Sequence, residues 1–240
     1  MAAQDTIVDA FTELAPRYEQ TMERELQLIW GVGYRDLIGQ LVRAVPVERG
    51  DVVLDMATGT AQIPLSLARH LEGRLTIGLD ITPAMLERGS ETIEATGLDA
   101  RIKLVCASAM VMPFSTGFFD VVVCGLGMHH MDVPKVLSEA LRVLKKGGRL
   151  FLVDVGAPAF WRTSIGRFIL EVLAWAYGRT HSSARARAEM EAVPNLRTPG
   201  EWSDLLASLG FHDVRISKLF PGRHPWFPTA LTMKAVKAAA

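Results

Sequence analysis

Residues 51–67, DVVLDMATGTAQIPLSL, permit few folds. Val52, Val53 and Leu54 form a short apolar run rich in β-branched residues that ends in Asp55, and Ile63, Leu65, Leu67 and Ala68 then carry the pattern of a buried helix face. Between them, Ala57-Thr58-Gly59-Thr60-Ala61 holds only small residues, which let a ligand approach the backbone ahead of a helix N-terminus whose free amides favour negative groups. Strand, tight turn, helix reads as a nucleotide-cofactor turn; the alternative is an ordinary tight turn of an α/β protein. The dinucleotide fingerprint needs glycines at 57, 59 and 62, the third for close packing of helix on strand; Ala57, Gly59 and Gln62 stand there, and Gln62 argues against NAD.

The same rhythm repeats along the chain. Leu75 to Asp80 reads as a second strand ending in an acid, placed to accept hydrogen bonds from both hydroxyls of a ribose, and a helix from Pro83 to Thr96 follows. Ile81 and Met85 sit at its start, where they either sandwich an adenine or join the core. Ile102 to Val105 is a third strand. Phe118 to Gly125 is a near-continuous apolar run, as expected of a central parallel strand covered on both faces. A helix from Val133 to Leu144 leads through a basic, glycine-rich C-cap to a fifth strand, Leu150 to Val155. Strict alternation of this kind predicts a doubly wound parallel sheet, with ligands outside the carboxyl ends of its strands.

Several ordered motifs carry a family resemblance. The arrangement D-x-A-x-G-T-A, from Asp55 to Ala61, resembles the first motif of class I S-adenosylmethionine-dependent methyltransferases, whose small-residue loop lies under the methionine part of the cofactor. Phe11, Ala15 and Tyr18 fit the entry segment F-x-x-x-A-x-x-Y, in which the tyrosine closes over the cofactor; the alternative is a helical cap in which Tyr18 is packed. Residues 106–114 resemble G-D-A-x-x-L-P-F, whose acid bonds the adenine amino group; Ser108 replaces that acid beside Ala109, and its hydroxyl can still accept one hydrogen bond. F-D-V-V leads through Gly125 to Met128-His129-His130, and L-K-K-G-G-R-L matches L-K-P-G-G-x-L with Lys146 in place of proline. Within class I the likeness is to the ubiquinone/menaquinone biosynthesis C-methyltransferase group, over roughly residues 5 to 237.

That resemblance implies a Rossmann-like α/β fold: a doubly wound, seven-stranded, mostly parallel sheet whose last strand inserts antiparallel beside the fifth. It implies S-adenosyl-L-methionine as cofactor, held by Tyr18, Asp55, Ala57, Thr58, Gly59, Asp80, Ile81, Met85, Ser108, Ala109 and Gly125. His129, His130 and Tyr18 are the candidate catalytic side chains, with His181 as a further candidate base and Asp154 as another polar group aimed at the pocket. An imidazole titrates at about 6.5 when unperturbed, so either tandem histidine is able to act as a base; otherwise one caps the next helix and the other packs beneath the cofactor.

The expected organisation is a helical cap over 1–45, with two helices between Thr6 and Val45, a cofactor-binding core over 46–155, a helical insertion over 156–199, and the rest of the core over 200–240. Ala159 to Tyr177 reads as one apolar helix that is either a lid over an acceptor pocket or a dimerisation surface, and its aromatic content favours a large apolar or aromatic substrate. The final hairpin turns through Pro221 to Pro228. The 26 basic and 26 acidic side chains cancel, so no footprint for nucleic acid is expected. Cys106 and Cys124 lack metal-ligand spacing and read as buried free thiols; no metal site is expected. With neither a signal peptide nor an apolar run able to span a bilayer, the expected location is the cytoplasm. The function expected is methyl transfer to a small apolar or aromatic, quinone-like acceptor. The alternatives are methylation of oxygen or nitrogen in a secondary metabolite, or cofactor binding without transfer.

Overall fold

The apolar runs become strands because their residues pack on both sides of one sheet. The computed structural model describes residues 2–70, 75–179, 183–220 and 227–239. Its strands are β1 (Val52–Met56), β2 (Leu75–Asp80), β3 (Ile102–Cys106), β4 (Phe119–Gly125), β5 (Leu144–Gly156), β6 (Phe211–Lys218) and β7 (Thr229–Lys237). They form a seven-stranded sheet in the order β3-β2-β1-β4-β5-β7-β6. β1 to β5 pair in parallel and β7 lies antiparallel between β5 and β6, as the family resemblance implies.

Alternation along β4 divides the core. Val121 and Val123 face Phe151 and Val153 of β5 and the helices α2 (Tyr18–Trp30), α3 (Tyr34–Ala44) and α4 (Gln62–His70). Val122 and Cys124 face Leu150 and Leu152, with α6 (Val133–Val143) and α9 (Pro199–Ser208) on that side. Helix α5 (Pro83–Thr96) joins Ala61 and Leu65 in a smaller cluster through Ile93. Thr198 and Glu201 form a reciprocal capping box that starts α9.

Four local expectations are corrected. The N-terminal segment holds three helices, α1 (Ala2–Leu14), α2 and α3, because Gly31 takes a left-handed conformation at φ 71° and Gly33 is extended, which ends α2 and re-aims the chain. Helix α6 stops at Val143, before the glycines; the following KKGG already belongs to β5, with Gly147 at φ 74° and a register shift opposite β4. Residues 159–178 are broken at Thr163 into a 3₁₀ turn (Ala159–Arg162) and α7 (Ser164–Gly178), ahead of α8 (Ser183–Ala192). Cys106, at the end of edge strand β3, is exposed; Cys124 is buried, and both thiols are free.

Helix α1 lies against α8, so the N-terminal segment and the insertion meet above the sheet. No helix among the described residues is long and apolar enough to cross a membrane. His181 and residues 221–226 of the expected turn lie outside the described residues.

Candidate active site

β1 leads outward in one direction to β2 and β3, and β4 leads in the other to β5, so the crevice between the carboxyl ends of β1 and β4 is the topological switch point. The backbone there is folded tightly. Ala57, Gly59 and Ala61 have φ of 52°, 54° and 61°, and Leu126, opposite them after β4, has φ 59°. For the three non-glycine residues the left-handed conformation costs about 1–2 kcal/mol each, a strain the surrounding packing sustains. Small size is as important as conformation. A Cβ on Gly127 would lie 2.7 Å from Ala57 Cβ, and one on Gly78 would lie 2.7 Å from Thr58 Oγ1.

The result is a cleft enclosing about 740 Å³ of atom-free space, open mouth included. Tyr18, Ala57, Gly59, Asp80, Ile81, Met85, Ser108, Ala109, Gly125 and His130, all expected from the sequence, line it together. Gln4, Ile7, Phe11, Leu79, Thr82, Met110, Leu126, Gly127 and Met131 complete the walls.

Asp80 anchors one end. Its Oδ2 accepts the Gly59 N–H at 2.8 Å and its Oδ1 the Thr82 N–H at 2.9 Å, so the strand-end acid holds the first turn in place. Burial raises its pKa against the lowering effect of those hydrogen bonds. The Thr82 hydroxyl and the Ile81 amide add to that hold, and the carboxylate lines the cleft beside them. Across the cleft, Ser108 Oγ accepts from Gln4 Nε2 at 2.8 Å, so α1 reaches over the mouth to the position where the family motif carries an acid. Gln4 has no sequence signal: only the packing of α1 on α8 brings it here.

Asp55 and Thr58 do not line the cleft. Asp55 is completely buried beneath the turn, where its Oδ2 accepts from Thr58 Oγ1 at 2.6 Å and its Oδ1 has no partner. Burial pushes its carboxyl up to about 8 against the Thr58 hydrogen bond, and the Asp80 charge adds to the rise.

At the other end the rings of Phe11, Tyr18 and His130 form one wall. Phe11 meets His130 edge-on with centroids 5.3 Å apart, and Tyr18 meets Tyr34 edge-on at 5.8 Å. Burial raises the Tyr18 hydroxyl's pKa, and a hydrogen bond with Tyr34 holds it. His130 is kept neutral: burial, then its neighbour His129 and Arg185, push its pKa well below the ordinary value. His129 stands behind it and off the cleft wall, ring centroids 4.2 Å apart. Its Nδ1 lies 2.5 Å from Oδ1 of Asp154, which points at His129 rather than into the cleft. Burial works to lower the His129 pKa, but the charge and hydrogen bond of Asp154 outweigh it, so the net shift is upward. Asn195, from the end of the insertion, donates to the backbone carbonyls of His129 at 3.0 Å and Met131 at 3.1 Å.

Residues 2–173 match the ubiE/COQ5 methyltransferase family. The chain is 30% identical to the ubiquinone/menaquinone biosynthesis C-methyltransferase UbiE of Geobacter sulfurreducens, over 88% of this chain and 82% of that one. It is 34% identical to a demethylmenaquinone methyltransferase of Thermus thermophilus, over 62% of this chain and 65% of that one. In fold it resembles phosphoethanolamine N-methyltransferase 2 of Haemonchus contortus, solved in complex with S-adenosyl-L-methionine, with a TM-score of 0.68, 16% identity, and coverage of 95% of this chain and 60% of that one. A likeness at that identity concerns architecture alone. The chain belongs to the ubiE/COQ5 methyltransferase family and is an S-adenosylmethionine-dependent methyltransferase.

Proposed function

We propose that this chain methylates a ring carbon of a small apolar, quinone-like acceptor in its reduced, phenolic form. One observation carries the reading: a single cleft passes from a polar end, with Asp80, Ser108 and Gln4, to an apolar and aromatic end, with Ile7, Phe11, Met110, Leu126 and Met131. The names of the Geobacter and Thermus relatives support a quinone precursor as the occupant of the second end.

The donor set suits S-adenosylmethionine. Asp80 stands where a ribose would present its hydroxyls, Ile81 and Met85 supply apolar faces for an adenine, and Ser108 with Gln4 offers hydrogen bonds to its edge. Ala57 and Gly59 admit the methionine part close to the backbone, with Gly125 beside them. We assign Asp55 and Thr58 to the support of that turn rather than to contact. The cofactor supplies a methyl group already activated on a sulfonium sulfur. What remains for the protein is to align acceptor, methyl and sulfur and to exclude water. Tyr18, Phe11 and His130 wall the reacting space, and α1–α3 with the insertion, residues 156–199, serve as cap and lid. No side chain attacks carbon.

We place the reaction in the cytoplasm, where Cys106 and Cys124 remain unpaired thiols. The proposal extends to a homodimer through α7, which exposes Ile165, Phe168, Ile169 and Val172 along one face and is read by analytical ultracentrifugation. The function is tested by incubating purified protein with S-adenosylmethionine and a reduced naphthoquinol lacking the ring methyl. The expected products are the ring-methylated naphthoquinol and an equal amount of S-adenosylhomocysteine. A methyl found on oxygen overturns the carbon assignment, and cofactor binding without S-adenosylhomocysteine overturns transfer.

A further inference from the structure

Behind the His130 wall, residues distant in sequence converge: the tandem histidines of the turn after β4, Asp154 of β5, and Glu189 of α8. His129, His130 and Glu189 each offer one ligand atom, and the three atoms lie within 4.8 Å of one another. His129 is buried and the other two are partly buried.

The surroundings of the two rings decide what this cluster is for. A metal-bound imidazole characteristically donates its other ring N–H to a carboxylate or a backbone carbonyl, which fixes the tautomer and aims the remaining lone pair at the ion. Both rings have that arrangement. Asp154 takes Nδ1–H of His129, leaving Nε2 with its lone pair. The Ala188 carbonyl engages the ring of His130, whose Nδ1 is buried and has no hydrogen-bond partner. A buried nitrogen left unpaired is destabilising, and a bound ion supplies the missing partner. The nearby Arg185, which would repel a cation, is paired with Glu25 at 2.6 Å.

We propose that His129, His130 and Glu189 form a binding site for a divalent transition-metal ion, with Asp154 and the Ala188 carbonyl orienting the ligands. Two imidazoles and one carboxylate suit Zn²⁺, whereas Mg²⁺ and Ca²⁺ prefer all-oxygen sets. Three protein ligands leave a fourth position open. The ion ties α8 of the insertion to the turn that ends the cleft, and so holds the acceptor end closed.

The test is calorimetric titration of Zn²⁺ into tag-free, chelator-treated protein, with Co²⁺ in parallel for its visible ligand-field absorption. The expected result is one ion per chain, a tetrahedral Co²⁺ spectrum, and affinity at least tenfold weaker in Glu189→Gln and in His130→Gln. Asp154→Asn, which leaves all three ligands in place, is expected to weaken binding by about 10–100-fold. Thermal melting without metal identifies any variant that has failed to fold, and the wild-type stoichiometry and spectrum are read independently of every variant. Absence of stoichiometric binding overturns the proposal, as does unchanged affinity in folded Glu189→Gln. Neither cofactor nor acceptor is in the cell, so a failure here leaves methyl transfer standing, and a failure of the naphthoquinol assay leaves this site standing.

Discussion

Replacing Asp80 by asparagine separates the two jobs the structure gives that side chain. Its two oxygens accept the Gly59 and Thr82 amides at 2.8 and 2.9 Å, and the same carboxylate lines the cleft. Asparagine has a single acceptor oxygen, so its NH₂ must face one of those two N–H groups, donor against donor. Hydrogen bonds to a charged group contribute about 1.5–3 kcal/mol, and one is lost within the turn. The expected fall in stability is about 1–3 kcal/mol, read from urea midpoints at constant m-value. On the cofactor side one ribose hydroxyl loses its acceptor, another 1.5–3 kcal/mol or so, which corresponds to a Kd about tenfold to hundredfold weaker by calorimetric titration with S-adenosylmethionine. Asp80→Ala removes both acceptors and should weaken binding further than Asp80→Asn. A folded Asp80→Asn protein that binds within about threefold of wild type, on a scale where 1.4 kcal/mol is tenfold, would refute the ribose assignment.

Asp55, raised to about 8 by burial from 3.8, holds a proton in the folded state that the unfolded chain gives up. Stability of the ligand-free protein should therefore fall as pH rises between those values, by up to about 1.4 kcal/mol per unit, and Asp55→Asn should flatten that decline in urea unfolding; an unaltered decline assigns it to another group. Gly127→Ala places a methyl 2.7 Å from Ala57 Cβ, so calorimetry should record at least a roughly tenfold loss of cofactor affinity, with about 1–3 kcal/mol of destabilisation from overpacking. Asn195→Ala removes two hydrogen bonds to the His129–Met131 turn, and is expected to lower stability by about 1–3 kcal/mol and kcat/KM for the acceptor more than cofactor affinity. Equal losses in both would mean that Asn195 supports the whole site rather than its acceptor end.

Much of the fold was legible because its signals are local. The apolar runs at 52–54, 75–79 and 119–124 are strands because each is buried on both faces; Asp80 closes β2 where the sequence places it, and β1 runs one residue past Asp55, to Met56. The glycine at 31 carried the break between α2 and α3, but a continuous apolar pattern through Leu26, Ile29, Leu37 and Leu41 masked it. At the site, residues within one motif came out together: Ala57 and Gly59, Ile81 and Met85, Ser108 and Ala109. What no local pattern carries is contact between distant segments. Gln4 reaches Ser108, Asn195 grips the histidine turn, and Asp154 turns to His129 only after α1, the insertion and β5 have packed. Asp55 illustrates the converse: the motif identifies the position, while its burial depends on how the turn closes over it.

Label transfer in a lipid extract decides between a quinone-like acceptor and any other. Purified protein is incubated with methyl-labelled S-adenosylmethionine and a reduced cell extract separated into lipid and aqueous fractions, and the labelled product is examined by mass spectrometry. Label in an aromatic, quinone-type lipid, with S-adenosylhomocysteine formed in equal amount, is the predicted result. Label confined to aqueous products, or none in either fraction while calorimetry records bound cofactor, would contradict it.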